Sequence, residues 1–432
     1  MGVQPAIRGG ALGALLLAAS LTPAATPPPG AKHLGTASCA TGVCHGRSAP
    51  VADRDVALNE YAIWLQKDRH SQAYRALESA DGRRIVANLG LPSAKTAKIC
   101  LDCHTDNVSA ALQGAKFKIT DGVGCEACHG AAEKWIEAHS HKEATHATNV
   151  AKGLYPSETP IGRAELCLGC HAGTADRFAT HELMGAGHPR LSFELEAFTT
   201  DQPPHFRRDD PSYRRRKGRI DGVNLWVTGQ LRSVSRQMTL LQAWWGRAGG
   251  ALPEFALYDC HSCHHPMSNA RWSRERVGAG IAPGTLRLQT GNLVVLRAIT
   301  ETLDGPKESD ALGQATQALV LAGQRDAAAL RIATERISAW VKAHDEWSRR
   351  SYSAEDTVRL RKALVRYAAA NRASDFVAAE QIVLGLDSLS YSLNDHDARR
   401  RVLDALFDTV KNATGFDPTR FASVAKTAAA EL

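Results

Sequence analysis

The chain of 432 residues carries ten cysteines, and their spacing constrains its structure more than any other feature. Four pairs have two residues between the cysteines and a histidine directly after the second, the pattern CxxCH. They are Cys100-Cys103-His104, Cys125-Cys128-His129, Cys167-Cys170-His171 and Cys260-Cys263-His264. A fifth unit, Cys39-Cys44-His45, has four residues between its cysteines. Together the five units use every cysteine of the chain.

CxxCH is the attachment site of c-type haem, in which the two thiols bind the haem covalently and the histidine supplies one axial nitrogen to the iron. Five disulfides or structural zinc sites would also use paired cysteines. Neither of them requires a histidine after every second cysteine. The motifs therefore predict five covalently attached haem c groups.

The five irons can take five further axial ligands. The chain has 17 histidines and four methionines, so histidine is the expected sixth ligand, and two histidine ligands favour a low potential. The strongest candidates are His70, His139 and His188, followed by His33 and His181. Weaker candidates are His205, His261 and His265, of which the last two could serve only a neighbouring haem. His344 and His396 are interpreted as surface or core residues.

The first residues are typical of a secretion signal. Arg8 precedes an apolar run from Ala11 to Leu21, and small residues at Ala24-Ala25 fit a cleavage site. We expect a signal peptide over residues 1–25, removal of that segment on export, and a periplasmic protein. The run is too short to span a bilayer, and no later stretch is long and apolar enough, so no transmembrane anchor is expected after cleavage.

The fold class is predicted to be all-α, with two domains after the signal. Residues 26–275 carry the haem motifs and show little regular secondary structure between them, apart from a helical apolar stripe within 224–246. Residues 276–432 contain no cysteine and predict a haem-free domain of five to seven amphipathic helices. Ser353 can cap one of these helices through Asp356, and Pro418 suits the start of the last.

The formal net charge is +7, but the propionates of five haems would offset most of it, so nucleic-acid binding is not expected. Arginines cluster between Arg207 and Arg219, broken by acidic residues and a proline. This segment is either a solvated loop, or a site that pairs with propionates or docks a redox partner.

Residues 33–190 resemble the cytochrome c-554 family of multihaem cytochromes. The resemblance lies in the first haem unit followed by Trp64 and Asp-Arg-His70, in Cys100-Leu-Asp-Cys-His104, in Gly-Val-Gly-Cys125-Glu-Ala-Cys-His-Gly130, in His139 and in Cys167-Leu-Gly-Cys-His171. It implies a compact helical protein that passes electrons between closely spaced haems. It also implies that His139 ligates the first haem, that His70 ligates the fourth, and that the haem on His104 lacks a sixth protein ligand.

The wide first motif, the fifth motif and the long haem-free region depart from the family pattern. The sequence favours an exported carrier that moves electrons along five haems between redox partner proteins. The alternative is a multihaem oxidoreductase that acts on a small nitrogen or sulfur compound at a five-coordinate haem. A third interpretation makes the C-terminal helices a docking module, so that the protein is a subunit of a larger electron-transfer complex.

Overall fold

The computed structural model describes residues 30–51, 57–205, 221–246, 252–264, 281–282, 284–373 and 375–432. The predicted signal peptide, the arginine cluster between Arg207 and Arg219, and His265 lie outside these ranges. Within them the chain is helical, and its β-pairing consists of isolated bridges. The all-α prediction is confirmed. Among the described helices, none is long and apolar enough to cross a membrane.

The haem-motif region is built from short helices. In chain order they are α1 (Glu60–Lys67), α2 (Ala73–Ala76), α3 (Ala80–Asn88), α4 (Lys98–His104), α5 (Cys125–His129), α6 (His146–Ala151), α7 (Pro160–His171), α8 (His181–Gly185) and α9 (Leu195–Asp201). Four-residue and three-residue 3₁₀ turns connect several of them. Helix α1 ends at Lys67, and the helical run is interrupted at Asp68, whose backbone is extended and whose carboxylate accepts from the His70 N–H. The interruption lets Asp68 cap the 3₁₀ turn that carries His70.

The remainder consists of longer helices. They are α10 (Gly222–Ala243), α11 (Gly291–Leu303), α12 (Pro306–Ala322), α13 (Ala327–Ala343), α14 (Ala354–Ala369), α15 (Phe376–Ser392), α16 (His396–Thr409) and α17 (Pro418–Ala428). The seven helices after residue 284 agree with the sequence prediction. Ser353 and Asp356 form a reciprocal capping box at the start of α14, and Pro418 occupies the first turn of α17.

Helix α10 lies at the centre of the largest apolar core. Its buried stripe includes Val227, Leu231, Val234, Met238 and Leu241. The helix packs against α7 and α9 of the haem-motif region and against α11, α13 and α15 of the C-terminal region. The same core continues through Leu257 and Tyr258, immediately before the fifth haem motif, and into the C-terminal helices. It therefore crosses residue 276, where the sequence places a domain boundary.

Candidate haem sites

Three of the five motifs form the last turn of a helix. Helices α4, α5 and α7 end at the motif histidines His104, His129 and His171. Because residues four apart lie on the same helix face, the first cysteine and the histidine of each motif face the same way. The first motif lies in a turn, and the fifth begins with a 3₁₀ turn over Cys260–Ser262.

Each motif histidine lies opposite a second histidine. The ring centroids are 6.2 Å apart for His45 and His139, 6.4 Å for His104 and His188, 6.1 Å for His129 and His205, 6.2 Å for His171 and His70, and 5.9 Å for His264 and His181. The five pairs share no residue. Four of the five distal candidates from the sequence belong to these pairs, and His205 takes the remaining place.

The spacing fits an iron between the rings. A metal–nitrogen distance of about 2 Å, with each ring centre about 1 Å beyond its nitrogen, places two opposed imidazoles about 6 Å apart. Two protein ligands suit a haem iron, whose porphyrin supplies four more nitrogens, whereas a structural zinc takes four ligands from the protein. The observed pairs therefore have the geometry of bis-histidine haem sites and not of zinc sites.

The Nδ1 atoms of five of these rings are held by oxygen atoms of the protein. The acceptors are Glu60 Oε2 for His45 at 3.0 Å, Asp68 Oδ1 for His70 at 2.8 Å, Ala73 O for His104 at 2.9 Å, Ile136 O for His139 at 2.5 Å, and Pro189 O for His188 at 2.8 Å. With the proton on Nδ1, the lone pair is on Nε2, the nitrogen that binds a metal. Such outer contacts fix the ring and raise its basicity as a ligand.

Asp68 is the most enclosed of these acceptors. Its side chain is buried, and its second oxygen accepts a 3.0 Å hydrogen bond from Gln202 Nε2. Burial raises the pKa of the Asp68 carboxyl, but hydrogen bonds from His70 and Gln202 outweigh burial and hold the pKa at about 2. Asp68 is therefore an anion at neutral pH, directed at the outer nitrogen of His70.

The His171 ring lies in an aromatic pocket. Phe193 stacks on it at 4.6 Å between centroids, and Phe198 meets it at 5.7 Å. Burial, with a contribution from nearby His70, lowers the pKa of His171 to about 4. The imidazole is therefore neutral at pH 7, which is the form that binds a metal.

Contacts between cysteines of different motifs show which sites adjoin. Cys39 lies within hydrogen-bonding distance of Cys125, which joins the first and third motifs. Cys103 lies within the same distance of Cys170, which joins the second and fourth. Cys128 also lies near Cys167 and Cys170, so the third and fourth sites are neighbours as well.

Other histidines use their ring nitrogens elsewhere. His33 was a candidate ligand, but its Nδ1 is 2.6 Å from Asp106 Oδ2, and within the described part of the chain it faces no motif histidine. His261 donates from Nε2 to Ala413 O. His344 contacts Trp340 O through Nδ1 and Asp304 through Nε2, and His396 contacts Asp387 through Nε2. These contacts agree with the interpretation of His344 and His396 as ordinary structural residues.

Some supporting residues were not predicted. Glu126, between the cysteines of the third motif, is buried and accepts hydrogen bonds from three backbone N–H groups. The donors are Leu34 N at 2.8 Å, Gly35 N at 2.6 Å and Ala132 N at 2.7 Å. Glu60 was also missed, and no local pattern marks it. Asp68 could have been found, because an acid two residues before a histidine can bond that histidine within one turn.

The arrangement agrees with a comparison to known protein families. Residues 32–130 match the family Cytochrome c554 and c-prime. The matched segment contains the first three haem motifs with His33 and His70, and it ends before His139 and the fourth motif. No curated protein and no solved structure matches the chain significantly.

The family match indicates a c-type cytochrome that carries covalently bound haem c and takes part in electron transfer with redox partners. The family resemblance inferred from the sequence is thereby confirmed over this segment. His188 lies opposite His104, the site at which the resemblance implies that a sixth protein ligand is missing.

Proposed function

We propose that this protein is an exported pentahaem cytochrome c that moves electrons along five bis-histidine haems between redox partners in the periplasm. The observation that carries the proposal is the set of five separate histidine pairs, each combining one motif histidine with one distal histidine at 5.9–6.4 Å. When bound, the haem groups supply one-electron chemistry.

The residues of the chain would set the conditions for that chemistry. The motif cysteines would hold the porphyrins, and two histidine ligands for each iron would favour low potentials. We propose His70, His139, His181, His188 and His205 as the distal ligands. His33 is assigned no iron in this proposal, since it faces Asp106.

The pairing also bears on the alternative function. A multihaem oxidoreductase needs an iron face that admits substrate. The family resemblance places such a face on the haem of His104. His188 lies opposite this ring with its Nδ1 bonded to Pro189 O, so that its Nε2 would occupy the sixth position. This contact favours electron transfer over catalysis at that haem.

We also propose a domain division different from residue 276. Helix α10 and the residues before the fifth motif share one apolar core with the C-terminal helices. Tyr258 donates to Gly323 O at 3.2 Å, and Asp259 N donates to Arg287 O at 2.7 Å. The helical region would accordingly begin near α10 and would hold the cysteines of the fifth haem.

Haem content and spin state test the proposal together. A pyridine haemochrome assay with intact mass should give about five haems per mature chain. Electron paramagnetic resonance of the oxidised protein should show only low-spin haem. Three of the pairs have interplanar angles of 89–90° and should give strongly anisotropic signals, whereas the other two have 14° and 30° and should give rhombic signals. The two kinds of signal should therefore appear in a ratio of about three to two.

Two matched variants distinguish electron transfer from catalysis at the haem of His104. His188→Ala should produce one high-spin haem that binds carbon monoxide after reduction, while His33→Ala should stay entirely low-spin. A wild-type protein with a high-spin haem that binds and turns over a small substrate would contradict the carrier proposal. A high-spin signal in His33→Ala would return that residue to the ligand set.

A further inference from the structure

We infer that residues 180–188 form a bridge that holds the distal ligands of two neighbouring haems, so that the fifth haem adjoins the second and extends the electron path beyond it. The inference rests on the proposed pentahaem function and concerns what this segment does for two of its sites. His181 opens α8 and faces His264 of the fifth motif, and His188 follows α8 and faces His104 of the second.

The distance along the bridge is short. His188 follows His181 by seven positions, and the five-residue helix α8, which rises about 1.5 Å per residue, covers most of that span. Gly187 has a φ of +116°, a conformation that side chains with a Cβ rarely adopt, and the turn at this position leads directly into His188. The bridge is also fixed internally, since His188 N donates to Leu183 O at 3.2 Å.

Both ends of the bridge are anchored. Leu183 and Ala186 are buried against Ile85 of α3, and Asn88 at the end of α3 donates to Ala186 O at 2.9 Å. This fixes the end that carries His188. Helix α3 belongs to the region matched by the cytochrome family, so the second haem site is held by that region.

The other end is tied to the fifth motif by Glu254. Its Oε1 accepts from His181 N at 2.8 Å and from Ala256 N at 3.3 Å. The second bond caps the 3₁₀ turn Phe255–Leu257, which leads into Cys260. The His181 ring also lies 6.0 Å from the Phe255 ring. One carboxylate thus joins the helix that supplies the distal ligand to the segment that supplies the motif.

The bridge completes a linear order of sites. The positions of the cysteines place the first motif beside the third, the third beside the fourth, and the fourth beside the second. The bridge then joins the second to the fifth. The exposed motif cysteines are Cys44, Cys260 and Cys263, which belong to the two ends of this order. The first and fifth haems are therefore the terminal haems, and the second becomes an internal relay.

The positions of the irons in the holoprotein test this order. Anomalous scattering at the iron absorption edge should locate five irons, and the iron between His181 and His264 should have the iron between His104 and His188 as its nearest neighbour. A different nearest neighbour would overturn the bridge while leaving the pentahaem function intact. Four irons, with none at His264, would overturn both.

Variants of Glu254 supply a spectroscopic test. Glu254→Ala should retain five haems but convert one low-spin haem to high spin, because His181 loses its anchor. Glu254→Gln keeps an acceptor oxygen and should restore the low-spin signal. Glu182→Ala, an exposed residue beside His181 on α8, is the matched control and should leave the spectrum unchanged. A fully low-spin Glu254→Ala would overturn the positioning role of Glu254.

Discussion

Replacing Asp68 by asparagine should raise the potential of the fourth haem. The Asp68 carboxylate is buried and accepts the His70 Nδ1 hydrogen bond at 2.8 Å, and its low pKa keeps it charged at neutral pH. Negative charge near an iron stabilises the oxidised state, and a carboxylate behind an imidazole makes that ligand more basic. The amide of asparagine removes the charge while keeping nearly the same shape.

The size of the effect follows from the distance. The 2.8 Å hydrogen bond, about 2 Å across the ring and about 2 Å to the metal place the carboxylate about 7 Å from the iron. At an effective dielectric constant of about 20, Coulomb's law gives about 2 kcal/mol for one unit of charge on each. For a one-electron couple this corresponds to an increase of roughly 80–100 mV.

The fold should tolerate this change. Asp68 also caps the 3₁₀ turn Arg69–Gln72, and asparagine caps helices as well as aspartate does. The Gln202 amide can turn to present its oxygen to the new NH₂ group. The spin state and the haem count should therefore remain those of the wild type.

A spectropotentiometric titration, with electron paramagnetic resonance to assign the haem, measures the shift. Asp106→Asn is the matched control, because Asp106 makes a similar 2.6 Å contact to His33, a histidine outside the five pairs. It should leave the potential of the fourth haem nearly unchanged, because Asp106 does not contact His70. An unchanged potential in Asp68→Asn, or an equal shift in Asp106→Asn, would refute the assignment of His70 as an iron ligand held by Asp68.

Three further predictions follow from other parts of the structure. Burial raises the pKa of the Glu194 carboxyl from its ordinary value of 4.5 to about 7. The folded state therefore binds the Glu194 proton more tightly than the unfolded chain does, and the free energy of unfolding should fall by about 3 kcal/mol as the pH rises from 4.5 to 7. Glu194→Gln should flatten that loss in urea unfolding at pH 5 and pH 8, and an unchanged slope would contradict it. Phe416 is buried, and its ring lies 5.9 Å from that of His261 in the fifth motif. Phe416→Ala should therefore lower the free energy of unfolding by about 3–5 kcal/mol, measured by urea unfolding, and reduce loading of the fifth haem, measured by intact mass. Full loading with unaltered stability would argue against support of this motif by the C-terminal helices. Cys44→Ser should leave one thioether bond at the first haem, detectable as a changed α-band after denaturation, and an unaltered α-band would mean that the wide motif carries no haem.

The sequence was informative wherever a local pattern carries the chemistry. The CxxCH spacing points to the motif histidines, and periodicity together with capping residues predicted α10, α14 and α17. These features depend on neighbours within about one helical turn. A capped helix can therefore be recognised without knowing what it packs against.

The distal histidines show where such reasoning ends. The sequence ranks His33 above His205 as a ligand, yet the structure turns His33 to Asp106 and places His205 opposite His129. His205 follows two prolines and has no local signal for a ligand. Its partner is 76 positions away in the chain, a separation that only packing can close.

The sequence by itself determined that ten cysteines and five histidines occur in repeated motifs of the haem-attachment type, and it predicted an all-helical chain, because such patterns are local and chemically specific. Only the tertiary structure decided which second histidine faces each motif, which carboxylates hold the rings, and how the fifth motif joins the helical region. Residues far apart in the chain form each of these contacts. Helix packing brings them together, as when α8 presents His181 to the fifth motif and the following turn presents His188 to the second.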